Sequence, residues 1–470
     1  MAQMKPLAWM IGALLALPGT VLAQDVAAPL DDQARVRMGE GDASGALQLM
    51  QDHVAAHPDD RDARLDLVRY LTWNGNFVEA ERVLLADPAA AQTVEGKSVH
   101  AALLAWAGRI DAARAENAPV LAAEPDNYLG HYTEAVALRQ SARPRQALPH
   151  VAEVERLKPG SKDAIDLARS TRIRTGSVVA LDYVHTDDSD DLITSRPTLR
   201  ADLAQGEALH YTIELGRWDN RSPTNSPFVA IDGGNSIAQT RGLIGLRYAS
   251  SLRTEWSAAV GHSSMDGDGT LLWRAGVDHR ANDSWRLGLS ADRDRLAISP
   301  RSLSLGLTRH GALGQVHWTP DMLWTGDLML RRDDYSDGND STEWSMALRR
   351  AVVRRPGVML DLGAMVQHIS HDKNLGNGYY APDNYRRYGL TASSYFGLSD
   401  EVGLSVQAGL GRQRDETFTS WRRANDLGAS LVFGIYTPWQ FTVFAGYSER
   451  VQTTGAYEGY SWGMTLARRF

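Results

Sequence analysis

Between residues 177 and 470 short and long polar breaks alternate, and this rhythm constrains the fold more than any other feature of the chain. The short breaks are "QGE" near 206, "SS" at 250, "AND" at 281, "TPD" at 319, "RPG" at 355, "SDE" at 399 and "TP" at 437. Between them fall "HTDDSDD", "DNRSPTNSPFVAIDGGNS", "SSMDGDG", "DRLAISPRS", "DDYSDGNDS", "HDKNLGNGYYAPDN", "RDETFTSW" and "RVQTTGAYE". The sixteen segments so separated read with a period of two. Leu209, Tyr211, Ile213 and Leu215 form one apolar set, Trp285, Leu287 and Leu289 another, and Val402, Leu404, Val406, Ala408 and Leu410 a third. Alternating strands with tight turns at one end and longer polar loops at the other describe an antiparallel barrel that crosses an outer membrane. A soluble β-sandwich also alternates, but it would spend these aromatics on a solvated face.

The end of the chain, "EGYSWGMTLARRF", carries the same signal. Tyr460, Trp462, Met464, Leu466 and Phe470 share one parity. In lipid every backbone polar group must pair inside the protein, so the sheet must close on itself. The stripe is therefore expected to be a lipid-facing strand that closes a sixteen-stranded barrel over 177–470. Such a barrel encloses a water-filled lumen. The opposite parity assigns Asp182, Asp202, Glu214, Glu255, Asp278, Asp292, Asp327 and Asp361 to that lumen, with Arg200, Arg253, Arg274 and Arg349. From 177 onward there are 34 Asp and Glu against 30 Arg and Lys. These residues predict an acid-biased path for a neutral or weakly cationic polymer, with Tyr395, Tyr436 and Phe444 as inward sugar-stacking faces.

The first half has a different texture. Ala46, Ala80, Ala113 and Ala147 recur at about 34 residues, as do Gly41, Gly75 and Gly108, and Trp73 and Trp106 are 33 apart. Small Ala lets paired helices approach, Gly ends the first helix, and Pro58, Pro125 and Pro159 close the second. This is the pattern of tetratricopeptide repeats, about four of them over 32–172. Ahead of them, "MAQMKPLAWMIGALLALPGTVLAQD" reads as a cleaved signal peptide over 1–23. Export without a single cysteine suits a large bacterial envelope protein. The net charge of −8 and the absence of a basic tract give no footing for nucleic acid.

No G-x-S-x-G or H-E-x-x-H motif occurs. "DDYSDGND" at 333–340 lacks the ligand spacing of a calcium loop. His185, His262, His310 and His371 fall near loops, beside Asp187 or Ser263, without diagnostic spacing. No catalytic residue, metal or cofactor is expected.

Several stretches resemble one family. "NDSWRLGLSADRD" at 282–294, "SPRSLSLGLTRHG" at 299–311 and "GYYAPDNYRRYGL" at 378–390 are similar, in this order, to segments of the outer-membrane exporters of poly-β-1,6-N-acetylglucosamine. Those exporters join tetratricopeptide repeats to a sixteen-stranded barrel. The resemblance implies a passive porin that threads an exopolysaccharide chain to the cell surface. It also implies outer-membrane lipid around the barrel, repeats in the periplasm, and a deacetylase-like polysaccharide-modifying enzyme docked on them. The repeat array here is much shorter than those of the exporters. Two other functions fit a barrel with repeats: an envelope hydrolase or modifying enzyme, and a plugged barrel serving as a structural adaptor.

Overall fold

The computed structural model describes residues 30–39, 42–265 and 267–470. The expected signal peptide and the turn glycine Gly41 lie outside them. Helices from Leu30 to Thr175 precede strands from Val178 to Arg469.

The helices pair as the repeat reading requires: Ala43–Ala56 follows Leu30–Gly39, Phe77–Leu85 follows Arg61–Trp73, and Ile110–Ala123 follows Val94–Trp106. Gly75 and Gly108 end their helices with φ of 76° and 78°, a conformation that costs a residue with Cβ far more. Ala46, Ala80, Ala113 and Ala147 are fully buried where the paired helices meet. The fourth unit has no turn glycine, and the 3-10 turn Pro144–Ala147 leads into Leu148–Leu157 instead. A last helix, Lys162–Thr175, runs straight into the first strand, Val178–Asp188.

His150, in the fourth unit, faces His131 with their Nδ1 atoms 3.0 Å apart. Burial holds the His150 imidazole below its ordinary range. The unfolded chain therefore binds the proton first as pH falls. Above about pH 6.5 the contribution of neutral His150 is fully present, and it is lost on acidification through the folded-state value. The helical domain is therefore expected to melt at a lower temperature at pH 5 than at pH 7.5. His150→Gln should flatten that dependence.

Sixteen long strands form one antiparallel sheet, each paired with its sequence neighbours, and a two-residue ribbon at Arg422–Arg423 joins it. Closure comes from the last strand, Gly459–Arg469, which pairs with Val178–Asp188 in an unbroken register from Val178↔Arg469 to Asp188↔Gly459. The seven short breaks are tight connections as expected, from 206–208 to 434–438. Three of the eight breaks read as long are short as well: 189–192, the step from the strand ending at Met265 to the one starting at Asp268, and 336–339. There the strands run on through polar residues before turning.

The outer surface is apolar, and aromatics ring both rims. Tyr248, Trp256, Trp285, Trp324 and Trp439 stand exposed at the short-turn end, and Trp344, Tyr388, Tyr460 and Trp462 at the other. Amphipathic rings at two levels around an apolar band mark the two membrane interfaces. Arg468 lies over Trp439 and Phe470, at 5.2 and 4.8 Å from the ring centroids. Its charge can reach the interface while its stem covers apolar surface.

The terminal Phe470 is held from below. Its N–H donates to the Ser177 carbonyl (2.9 Å). Its own carbonyl would lie 2.3 Å from a Cβ placed on Gly176. Gly176→Val is therefore expected to push the closing strand away from the helix and lower the barrel's melting temperature by several degrees, read from heat-dependent gel mobility.

Candidate functional site: a two-faced lumen

The strand registers place most of the charged inward residues on eleven consecutive strands, from Val178–Asp188 through Val358–His371. Inward positions in a closed antiparallel sheet sit about 5 Å from their cross-strand partners, within reach of an Arg–carboxylate pair. Each of the eight expected carboxylates has such a partner. Asp182 is held by Arg200 (2.8 Å) and by the Thr465 hydroxyl (2.7 Å). Asp202 meets Arg247 (2.9 Å) and His210, and Glu255 meets the same arginine (3.4 Å). Glu214 lies between Arg241 (3.2 Å) and Arg274 (3.1 Å). Asp278 pairs with Arg286 (2.7 Å), and Asp292 with Arg309 (2.9 Å) and Arg331 (3.2 Å). Asp327 accepts from His317 (2.7 Å) and Arg349, and Asp361 from Arg354.

This corrects the acid-biased wall expected from the residue count. The carboxylates are inward, but arginines compensate them pair by pair. Two expected lumen residues lie elsewhere. Tyr436 belongs to the 434–438 turn, at φ 61°, where its carbonyl accepts from Arg169. Arg253 sits in the 250–253 turn and pairs with Asp111 of the helical domain (3.0 Å). Parity counting carried both past the ends of their strands.

The remaining five long strands are nearly free of inward charge. Over the strands Tyr385–Ser399, Val402–Arg414, Asp426–Phe433, Trp439–Ser448 and Gly459–Arg469 the inward positions include Thr391, Ser393, Ser405, Gln407, Ser430 and Thr442. Glycines such as Gly389, Gly409 and Gly463 fill positions between them. Tyr395 and Phe444 are the inward aromatics of this face. Charge recurs at its two ends, in Arg387, ion-paired with Asp426 (2.9 Å), and in Arg469. A smooth wall of small hydroxyl and amide groups thus faces a wall of compensated ion pairs.

Both ends of the lumen are structured. At the long-loop end, the 296–307 connection folds inward with the short helix Pro300–Ser304. Leu303 is fully buried there with Met265 and Ala297, and inward-facing Trp218 and Ile237 pack against them. Neighbouring loops fasten it. The Ser299 hydroxyl donates to the Gly378 carbonyl (2.6 Å), and the Arg301 N–H donates to the Phe228 carbonyl (2.9 Å). Tyr380 donates its hydroxyl to Asp415 (2.6 Å), tying two further loops. These ties extend to Asp188, which accepts from Thr454 (2.7 Å).

At the short-turn end the helical domain lies across the rim and meets six of the seven short turns. Gln146 reaches Glu207, Arg143 donates to the Ser250 carbonyl (2.9 Å), and Arg109 donates to the Thr319 carbonyl (2.8 Å). Arg169 spans the 400–401 and 434–438 turns through Glu401 and Tyr436. The firmest tie is at 281–284. Helix Ile110–Ala123 starts at Arg109, which cannot cap it, and the Asp283 carboxylate accepts from the N–H groups of Asp111 (2.8 Å) and Ala112 (2.9 Å) instead. A carboxylate at a helix N-terminus satisfies orphan donors and meets the positive end of the dipole. Asp283→Ala is expected to weaken docking by about 2 kcal/mol. Faster limited proteolysis of the helical domain would register the change.

The loop histidines form no nucleophile–base set among the described residues. His262 and Ser263 point to opposite faces of one strand. His185 bonds the outward Ser195 (3.2 Å) and packs on Trp462, and His371 is buried with Tyr335 and Tyr379.

The fold and lumen define an outer-membrane β-barrel porin with a helical-repeat domain across one rim. Comparison with known families agrees in both halves. The model described as tetratricopeptide repeat matches residues 37–106, and the one described as PgaA membrane beta barrel domain matches 231–394. The chain thus joins a segment similar to tetratricopeptide repeats to a barrel whose residues 231–394 are similar to the PgaA membrane beta barrel domain. Among solved structures it resembles a bacterial polysaccharide outer membrane secretin, with a TM-score of 0.55 at 15% identity over 63% of this chain and 99% of that one. This is a likeness of fold. OccAB1 from Acinetobacter baumannii aligns with a TM-score of 0.35 at 9% identity, over 63% of this chain and 95% of that one. CdiB from the same organism aligns with 0.39 at 8%, over 63% and 60%. No curated protein matches the sequence.

Proposed function

We propose that the protein is a passive outer-membrane conduit for an exopolysaccharide, with its helical domain in the periplasm and its long loops at the cell surface. The observation that carries this reading is the two-faced lumen. A hydrated sugar chain presents hydroxyl and amide groups along its length, and it must slide rather than bind tightly. Small Ser, Thr, Gln and Gly side chains offer weak, repeated hydrogen bonds. Arginine-compensated carboxylates on the facing wall leave few free charges to hold the chain. The expected lumen positions Asp182, Asp202, Glu214, Glu255, Asp278, Asp292, Asp327 and Asp361 then order that wall, and Tyr395 borders the path. The PgaA-type barrel and the secretin-like fold favour a poly-N-acetylglucosamine-like polymer.

The same reading gives the repeats a docking role for a periplasmic polysaccharide-modifying enzyme of the deacetylase class. That partner would meet exposed apolar side chains of the helical domain such as Val78 and Leu85. The test is deletion of the gene followed by measurement of surface-bound and periplasmic hexosamine polymer. Surface polymer is expected to vanish while polymer accumulates inside. Unchanged surface polymer would remove the proposal.

A further inference from the structure

Resting on that conduit reading, we infer that Trp73 and Trp106 form a carbohydrate-binding track in the vestibule through which the polymer reaches the barrel. Each is the last residue of the first helix of its repeat, Arg61–Trp73 and Val94–Trp106. Neither is used to fill the repeat core, which is built from neighbours such as Leu71 and Leu103. Trp73 is 54% exposed and Trp106 46% exposed, although the barrel rim lies directly beside them. Both line a half-open cavity of about 850 Å³ between the helical domain and the short-turn rim. From the helical side Gln140 and Arg174 join them, at the matching ends of the following repeat helices. From the barrel side the cavity is lined by Arg286 and His317, which face the lumen, and by Trp285 and Trp324 of the rim. The vestibule and the pore are therefore continuous.

The rings are held rather than loose. Tyr70 packs edge-on against Trp73 at 5.4 Å, and Tyr132 stacks on Trp106 at 6.3 Å. The chemistry fits a pyranose chain. A sugar ring has an apolar C–H face that stacks on an aromatic plane and a rim of hydroxyls that arginine and amide donors can bind. Two aromatic planes one repeat apart, with donors between them and the lumen, match a polymer that presents the same face at regular intervals.

The probe is the N-acetylglucosamine hexamer chitohexaose, titrated calorimetrically into the detergent-solubilised full chain. Wild-type protein is expected to bind it. W73A/W106A should raise the dissociation constant about tenfold, the scale of losing stacked planes, while W73F/W106F stays within about threefold of wild type. Should the double alanine variant not fold, the single variants W73A and W106A decide, each expected to weaken binding about threefold. Wild-type binding with an unchanged affinity in the alanine variants, as expected of tryptophans resting on lipid, would overturn this inference and leave the conduit intact. Failure of wild-type protein to bind would also overturn this inference, while the conduit stands or falls on surface polymer in the deletion strain.

Discussion

A chain lacking residues 459–470 is expected to yield no folded barrel at all. The last strand pairs on one side with Val178–Asp188 and on the other with Trp439–Ser448. Its removal opens two edges at once. In water such edges would bind solvent, but in the hydrocarbon region each unpaired N–H or C=O costs several kcal/mol. Summed along an eleven-residue strand, this exceeds the entire stability of an ordinary domain. The measurement is gel mobility of unheated membrane protein: full-length chain should run as a compact heat-modifiable band, and the truncated chain should be absent from the outer membrane. Phe470→Ala, which keeps every strand pair, should retain the compact band.

Excision of 297–306, bridged by a Gly-Ser-Gly linker, should raise single-channel conductance several-fold. That segment carries Leu303 into the packed cluster with Met265 and holds the loops at 222–235 and 372–384 through Phe228 and Gly378. Conductance follows the narrowest section of a water-filled lumen, and this inward loop occupies the section nearest the long-loop end. The strands on either side, Trp285–Arg295 and Thr308–Trp318, remain paired with each other, so the barrel itself should persist. An unaltered conductance would place the narrow section elsewhere, with the helical domain at the other rim.

Much of the barrel was legible because its solvent is unusual. Lipid outside and water inside force a strict period of two, and the closing stripe from Tyr460 to Phe470 shows it without a break. The seven short turns were visible because few residues can form them. Strand ends were not, since beyond the membrane both faces are wet and the alternation loses its cause. That is why "SSMDGDG" and "DDYSDGNDS" read as long loops while their backbone continues as strand. Tyr436 and Arg253 were misplaced for the same reason.

The site was half legible. Parity revealed that carboxylates face inward, but pairing depends on register, which the sequence does not print. Asp182 meets Arg200, eighteen residues away, only because Asp182 pairs with Thr198 across the strands. The docking of the helical domain was invisible for a similar reason: Asp283 caps a helix more than 170 residues upstream. One signal could have pointed to it. Arg109 stands at a helix start that no side chain of its own repeat can cap.

The central claim is that a polymer travels through this lumen along the uncharged wall. Because the chain has no cysteine, a single one can be placed at will. Ser430 faces the lumen and Leu431 faces lipid on the same strand. Surface polymer should be measured on cells producing S430C or L431C after treatment with a bulky maleimide. The account predicts that S430C cells lose newly exported polymer while L431C cells keep it. Full export by labelled S430C cells would contradict it.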